Sequence, residues 1–67
     1  NGNIYLAGDV VMMPSVMSKA MVFSTSGTMV AAIDNADQIN VTDLQSGMYI
    51  VKAVDAEGNA YTAKIAK

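Results

Sequence analysis

The 67-residue chain has no cysteine, no histidine and no tryptophan, a single proline, and only four basic residues. Each shortage closes a route. Without cysteine no disulfide braces the fold, and cysteine gives no hint of redox compartment. Without cysteine or histidine, zinc and other nitrogen- or sulfur-ligated metal sites are essentially excluded. Without histidine, the hydroxyls of Ser15, Ser18, Ser24, Ser26 and Ser46 have only lysine as a conceivable base, and no serine is followed three residues on by lysine. These serines read as turn and cap residues rather than nucleophiles. Four lysines in a chain of net charge −2 do not form the clustered basic surface that phosphate backbones require, so nucleic acid is not expected as a partner. No apolar run approaches the ~20 residues a membrane-spanning helix needs. Asn1-Gly2 opens without an initiator methionine, a basic stretch or a long apolar segment. It does not read as a signal peptide, but as the start of a segment taken from a longer protein, in nature or by cloning.

What the chain does hold is apolar: 52% of its residues, six of them methionine. Methionine fills irregular gaps in a core and also suits adaptable contact surfaces; ordinary core filling is the plainer reading. A domain this short buries only about 60% of the surface its unfolded form exposes and is marginally stable.

The pattern along the chain is one of short strands and turns. Ile4 to Leu6 is followed by a turn at Ala7-Gly8-Asp9. Val10 to Met13 is a second strand, which Pro14 is expected to stop or to confine to an edge. Pro14 to Ser18 reads as a loop or a single helical turn. Lys19 to Ser24, a turn at Thr25-Ser26-Gly27, and Met29 to Ile33 form a strand pair. Asp34-Asn35-Ala36-Asp37 reads as a polar turn and Gln38 to Val41 as a short strand. A helix over Met12 to Val22 stands as the alternative for that region. The clearest signal lies between Gly47 and Lys67, where two runs of period-2 character flank Asp55-Ala56-Glu57-Gly58-Asn59. Tyr49, Val51 and Ala53 share one face of the first run, and Tyr61, Ala63 and Ile65 one face of the second. Lys52 and Lys64 mark the opposite, wetter face, so the tyrosine sets are predicted to point inward. In all, about seven short strands with regular turn signals predict an all-β fold, a small antiparallel immunoglobulin-like β-sandwich forming a single domain over residues 1–67.

Three arrangements of chemistry come to nothing on inspection. Asp55 to Asn59 places oxygen donors like the start of an EF-hand loop, but Ala60 stands where glycine is needed and Ala66 where a bidentate glutamate is needed. A hairpin turn is the better reading. Asp34 with Asp37 reads as a solvated turn. Tyr5, Tyr49 and Tyr61 could stack sugars, but Tyr49 and Tyr61 alternate with core residues and read as buried rings with rim hydroxyls. No catalytic residue, metal site or cofactor is expected.

The order L-x-x-G-x-Y-x-V-K from Leu44 to Lys52, an acidic-glycine turn, and x-Y-T-x-K-I-x-K ending in Lys67 resembles the C-terminal sorting domain of the type IX (Por) secretion system of Bacteroidetes. Met21 to Val30, with its single glycine, and Asn40-Val41-Thr42-Asp43-Leu44 resemble that family's preceding elements, so the likeness runs from Ala20 to Lys67. It implies a secretion signal rather than an enzyme. The domain would sit at the end of a cargo such as a secreted protease. It would engage the type IX machinery on the way through the periplasm and outer membrane, and be cut off by a cell-surface sortase. The recognition residues it implies are Gly47, Tyr49, Val51, Lys52, Gly58, Lys64, Ile65, Ala66 and Lys67. In that set the glycines shape the backbone, Tyr49 and Val51 hold the hairpin on the core, and the lysines serve as an exposed handle. A structural or adhesive β-sandwich module attached to an extracellular enzyme is the alternative. Short edge strands also suggest pairing of the domain with itself.

Overall fold

The computed structural model describes residues 3–67, and within them every regular element is a strand: β1 (Tyr5–Ala7), β2 (Val10–Ser24), β3 (Met29–Asn40), β4 (Met48–Asp55) and β5 (Ala60–Ala66). All pairings are antiparallel. β3 takes one edge of β2 along its length, while β1 and then β4 take the other edge, β1 over Val10–Met12 and β4 over Met17–Ser24. β5 lies beyond β4. The result is an open, curled antiparallel sheet that brings β1 against β5.

Five strands replace the seven expected because two anticipated breaks are bends. Pro14 does not end its strand. β2 runs through it for 15 residues. The four residues Met13–Val16 face Asp37 alone across the β3 ladder, and neither β1 nor β4 reaches them. The proline's missing N–H therefore costs no ladder bond, and its fixed φ suits an extended chain. The same continuity overturns the helical alternative for Met12 to Val22.

The polar run Asp34 to Asp37 is likewise not a turn. It lies inside β3, where Asn35 takes φ 55°. Asparagine tolerates the left-handed region because its short amide bonds locally. Opposite Asn35, Ser18 is an extra residue in β2: Met17 pairs with Asp55 and Lys19 with Val54. Its hydroxyl donates to the carbonyls of Val54 (3.0 Å) and Asp55 (3.3 Å). One inserted residue reverses which positions face inward. Val11, Met13 and Met17 point into the core before the bulge, and Ala20 and Val22 after it. Strict alternation fails at these residues, which is why the sequence there reads as a loop.

The final hairpin follows its sequence pattern closely. Its β4–β5 register is unbroken from Met48↔Ala66 to Val54↔Ala60. Tyr49, Val51 and Ala53 are buried, Ile65 is buried, and Tyr61 and Ala63 pack against the core. A continuous cluster joins them to Ile4, Val11, Met17, Val22 and Ile39.

Candidate functional site

The terminal hairpin is pinned at both ends and at its back. At the open end Gly47 and Lys67 exchange both backbone hydrogen bonds, Gly47 N to Lys67 O at 3.0 Å and Lys67 N to Gly47 O at 2.8 Å. Gly47 has φ 154°, a backbone state side chains disfavour. The Lys67 ammonium reaches across to the corner before β4 and donates to the carbonyls of Thr42 (3.0 Å) and Leu44. It thereby satisfies two acceptors of a segment that has few ladder bonds of its own.

The same corner is fixed from beneath by Tyr49. Its ring is 8% exposed, and its hydroxyl donates to the carbonyl of Gln45 at 2.6 Å. A tyrosine at the start of a strand, bonded back to the chain a few residues upstream, ties the corner in the way the tyrosine corner does in β-sandwich domains, here in an open sheet. Leu44 packs against the core beside it. This arrangement explains the L-x-x-G-x-Y spacing physically: leucine anchors the corner, glycine turns it and tyrosine ties it.

At the closed end Asp55 is the hub. Its carboxylate accepts from the backbone N–H groups of Glu57 and Asn59, both at 2.9 Å, from Asn59 Nδ2 at 3.1 Å and from the Tyr61 hydroxyl at 3.1 Å. Gly58, at φ 87°, closes the turn with its N–H on the Asp55 carbonyl. The backbone bond from Asn59 leads the interactions that hold the Asp55 carboxyl below its ordinary value. The Tyr61 hydroxyl is raised, first by donating to Asp55. Both oxygens of Asp55 are engaged by its own turn, the arrangement of a hairpin cap rather than of a cation loop.

These shifts set a pH dependence. A depressed carboxyl adds stability that is present above its unfolded value, near 3.9, and is lost as pH falls through the lower folded value. A raised tyrosine adds stability that is present below about 10 and is lost as pH rises through its folded value. Asp55→Ala is therefore expected to lower the urea midpoint at pH 7 and to flatten the decline between pH 5 and 2.5. Equal slopes for variant and parent in that range would show that other carboxylates carry the acid sensitivity.

The nine residues singled out from the sequence do not form one patch. Tyr49, Val51 and Ile65 are buried and act through the fold. Gly47 and Gly58 lie at opposite ends of the hairpin. Lys52 and Lys64 are exposed on the outer face, with the Lys52 ammonium 5.8 Å from the centroid of the Phe23 ring. Ala66 is exposed, but Lys67 is half-buried in the clasp rather than a free handle. The local side chain-to-backbone bonds expected of Asp55 in its turn are present, but the Tyr61 hydroxyl on Asp55 and the Tyr49 corner bond were missed; an aspartate six residues before tyrosine was the available signal for the first. The three tyrosines make no platform: Tyr49 lies in the core, while Tyr5 and Tyr61 flank a shallow groove between β1 and β5.

Comparison with curated proteins and with solved structures returns no match. A family model described as a secretion system C-terminal sorting domain matches residues 1–67, which extends the likeness through the first strands. A domain of this kind is an address and not itself a catalyst; it implies engagement with type IX secretion machinery and export to the cell surface or the medium. Matched over its full length, the chain belongs to the family of type IX secretion C-terminal sorting domains.

Proposed function

We propose that this domain directs its cargo across the outer membrane and is then removed by a cell-surface sortase. The cargo reaches the periplasm by general export, and the family resemblance favours a secreted protease, often joined to an anionic lipopolysaccharide after cleavage. The observation that carries the reading is the clasped hairpin: its ends are fixed by Gly47–Lys67 and Asp55–Asn59, so it presents a preformed surface rather than a loose tail. Within it, Gly47, Gly58, Tyr49, Val51 and Ile65 set the shape. Lys52, Lys64, Ala66 and Lys67 are the part a receptor meets, Lys67 chiefly by holding the corner closed.

The test is a reporter with its own periplasmic export signal, carrying the domain at its C-terminus, in a bacterium with type IX secretion. The intact fusion is expected in the medium or on the surface. A fusion lacking Lys64 to Lys67 is expected to stay in the periplasm, and Lys67→Arg to export better than Lys67→Ala. If the intact fusion also stays in the periplasm with its sheet folded, the alternative of a structural or adhesive module becomes the better account.

A further inference from the structure

The face of the sheet turned away from the core has a composition unlike the rest of the molecule. Register and alternation lay it out as rows across β3, β2, β4 and β5. Asp34, Lys19, Val54 and Ala60 form one row, and Ala32, Met21, Lys52 and Thr62 the next. Beyond them Phe23, Ile50 and Lys64 form a third, and Met48 with Ala66 a fourth. Met21, Phe23 and Ile50 are half-buried only by their neighbours, while Met48 is 44% and Val54 36% exposed. This grid holds three of the chain's four lysines and one of its six carboxylates. Its one acid, Asp34, lies 3.9 Å from Lys19 with both side chains more than half exposed, a contact too weak to neutralise either. An acidic chain has thus gathered three of its four lysines on one sheet face, among apolar side chains.

We propose that this face docks on a protein surface of the secretion machinery in which carboxylates are set among apolar side chains. The proposal rests on the sorting reading and specifies its partner's chemistry. Charge complementarity argues for the carboxylates, because lysines running diagonally across the face, among its apolar side chains, steer and orient a partner of opposite sign. The apolar side chains of this face, Met21, Phe23, Ile50 and Met48, argue for protein rather than lipid. Three lysines without an amphipathic helix are few for anchoring to anionic headgroups, whereas methionine and phenylalanine on a sheet suit an adaptable protein contact.

The reporter fusion tests this with Lys19→Glu, Lys52→Glu and Lys64→Glu combined, against the three arginine substitutions at the same sites. All three side chains are exposed, and a urea midpoint checks that the sheet survives. Reversal is expected to lower export at least about tenfold, since like charges facing across an interface cost more than a tenfold affinity change requires. The arginine version, which keeps the charge, is expected to export at least about tenfold better than the reversed one. A photo-crosslinking residue at Met48, in the chain with its lysines intact, is expected to capture a protein at a segment rich in Asp and Glu. That second readout decides the matter even if reversal weakens the fold. Normal export of the reversed fusion, or capture of lipid, of a second copy of the domain, or of nothing, overturns the proposal while leaving the sorting reading in place. An intact fusion that is never exported sinks both.

Discussion

Tyr49→Ala is expected to remove a large part of the domain's stability at 25 °C. Truncating a buried aromatic costs about 3–5 kcal/mol in transfer and cavity terms. A chain of this size has a total stability of about 3–10 kcal/mol on the usual per-residue scale. The loss falls at a sensitive place. Tyr49 is buried, pairs with Ile65 across the hairpin, and ties the corner through Gln45. Removing the ring opens a void in the core and frees the Gln45 carbonyl, next in the chain to the Leu44 carbonyl that the Lys67 ammonium holds. Tyr49→Phe keeps the ring and loses only the bond, at about 1 kcal/mol. Urea titration followed by circular dichroism separates the two variants. A Tyr49→Ala protein within about 1 kcal/mol of the parent would mean that the ring packs far more loosely than its burial indicates.

The order of these costs bears on the sorting function. A substitution that unfolds the domain abolishes recognition for an uninformative reason, so Tyr49, Val51 and Ile65 cannot be assigned to a receptor contact by loss of secretion alone. Lys52 and Lys64 can, because both side chains are exposed, the Lys52 ammonium 5.8 Å from the centroid of the Phe23 ring. The recognition set read from the sequence therefore divides into shape-giving and presented residues, and only the second group is open to direct test in the cell.

The final hairpin was legible in the sequence because its alternation is unbroken and its turn carries Asp, Gly and Asn at positions whose chemistry is local. The middle of the chain was not. Pro14 and the Asp34–Asp37 run carry the composition of turns, yet the structure uses them as bends within long strands. What decides the outcome is pairing: Pro14 lies where no neighbouring strand requires its N–H, and Asn35 lies opposite the extra residue Ser18. Neither fact is local, so no window of sequence contains it. The same limit hid the ammonium clasp of Lys67, which spans 23 residues to Leu44, whereas the Asp55–Tyr61 bond spans only six residues across the turn. The lysines read as one exposed handle because nothing in a lysine's own neighbourhood tells a surface ammonium from one that seals a corner.

Met17→Ala is expected to be the most costly truncation of a side chain without polar contacts, at about 2–5 kcal/mol. Met17 is fully buried and is the largest side chain in that class. Its backbone stands between Ala36 of β3 and Asp55 of β4, next to the Ser18 bulge, so it fills the space where three strands bend together. An unbranched side chain suits such an irregular gap, and Met17→Leu, which nearly keeps the volume, is expected to cost less than about 1.5 kcal/mol. The two core truncations should also differ in where they loosen the hairpin. Met17 supports the end at which Asp55 gathers its turn; Tyr49 supports the end at which Gly47 meets Lys67. Amide exchange in conservative variants reads this directly. Met17→Leu should speed exchange at Asn59 more than at Lys67, and Tyr49→Phe should do the reverse. If both variants instead accelerate both amides equally, the hairpin opens as one unit, and the clasp at Lys67 and the hub at Asp55 are two fastenings of a single closure.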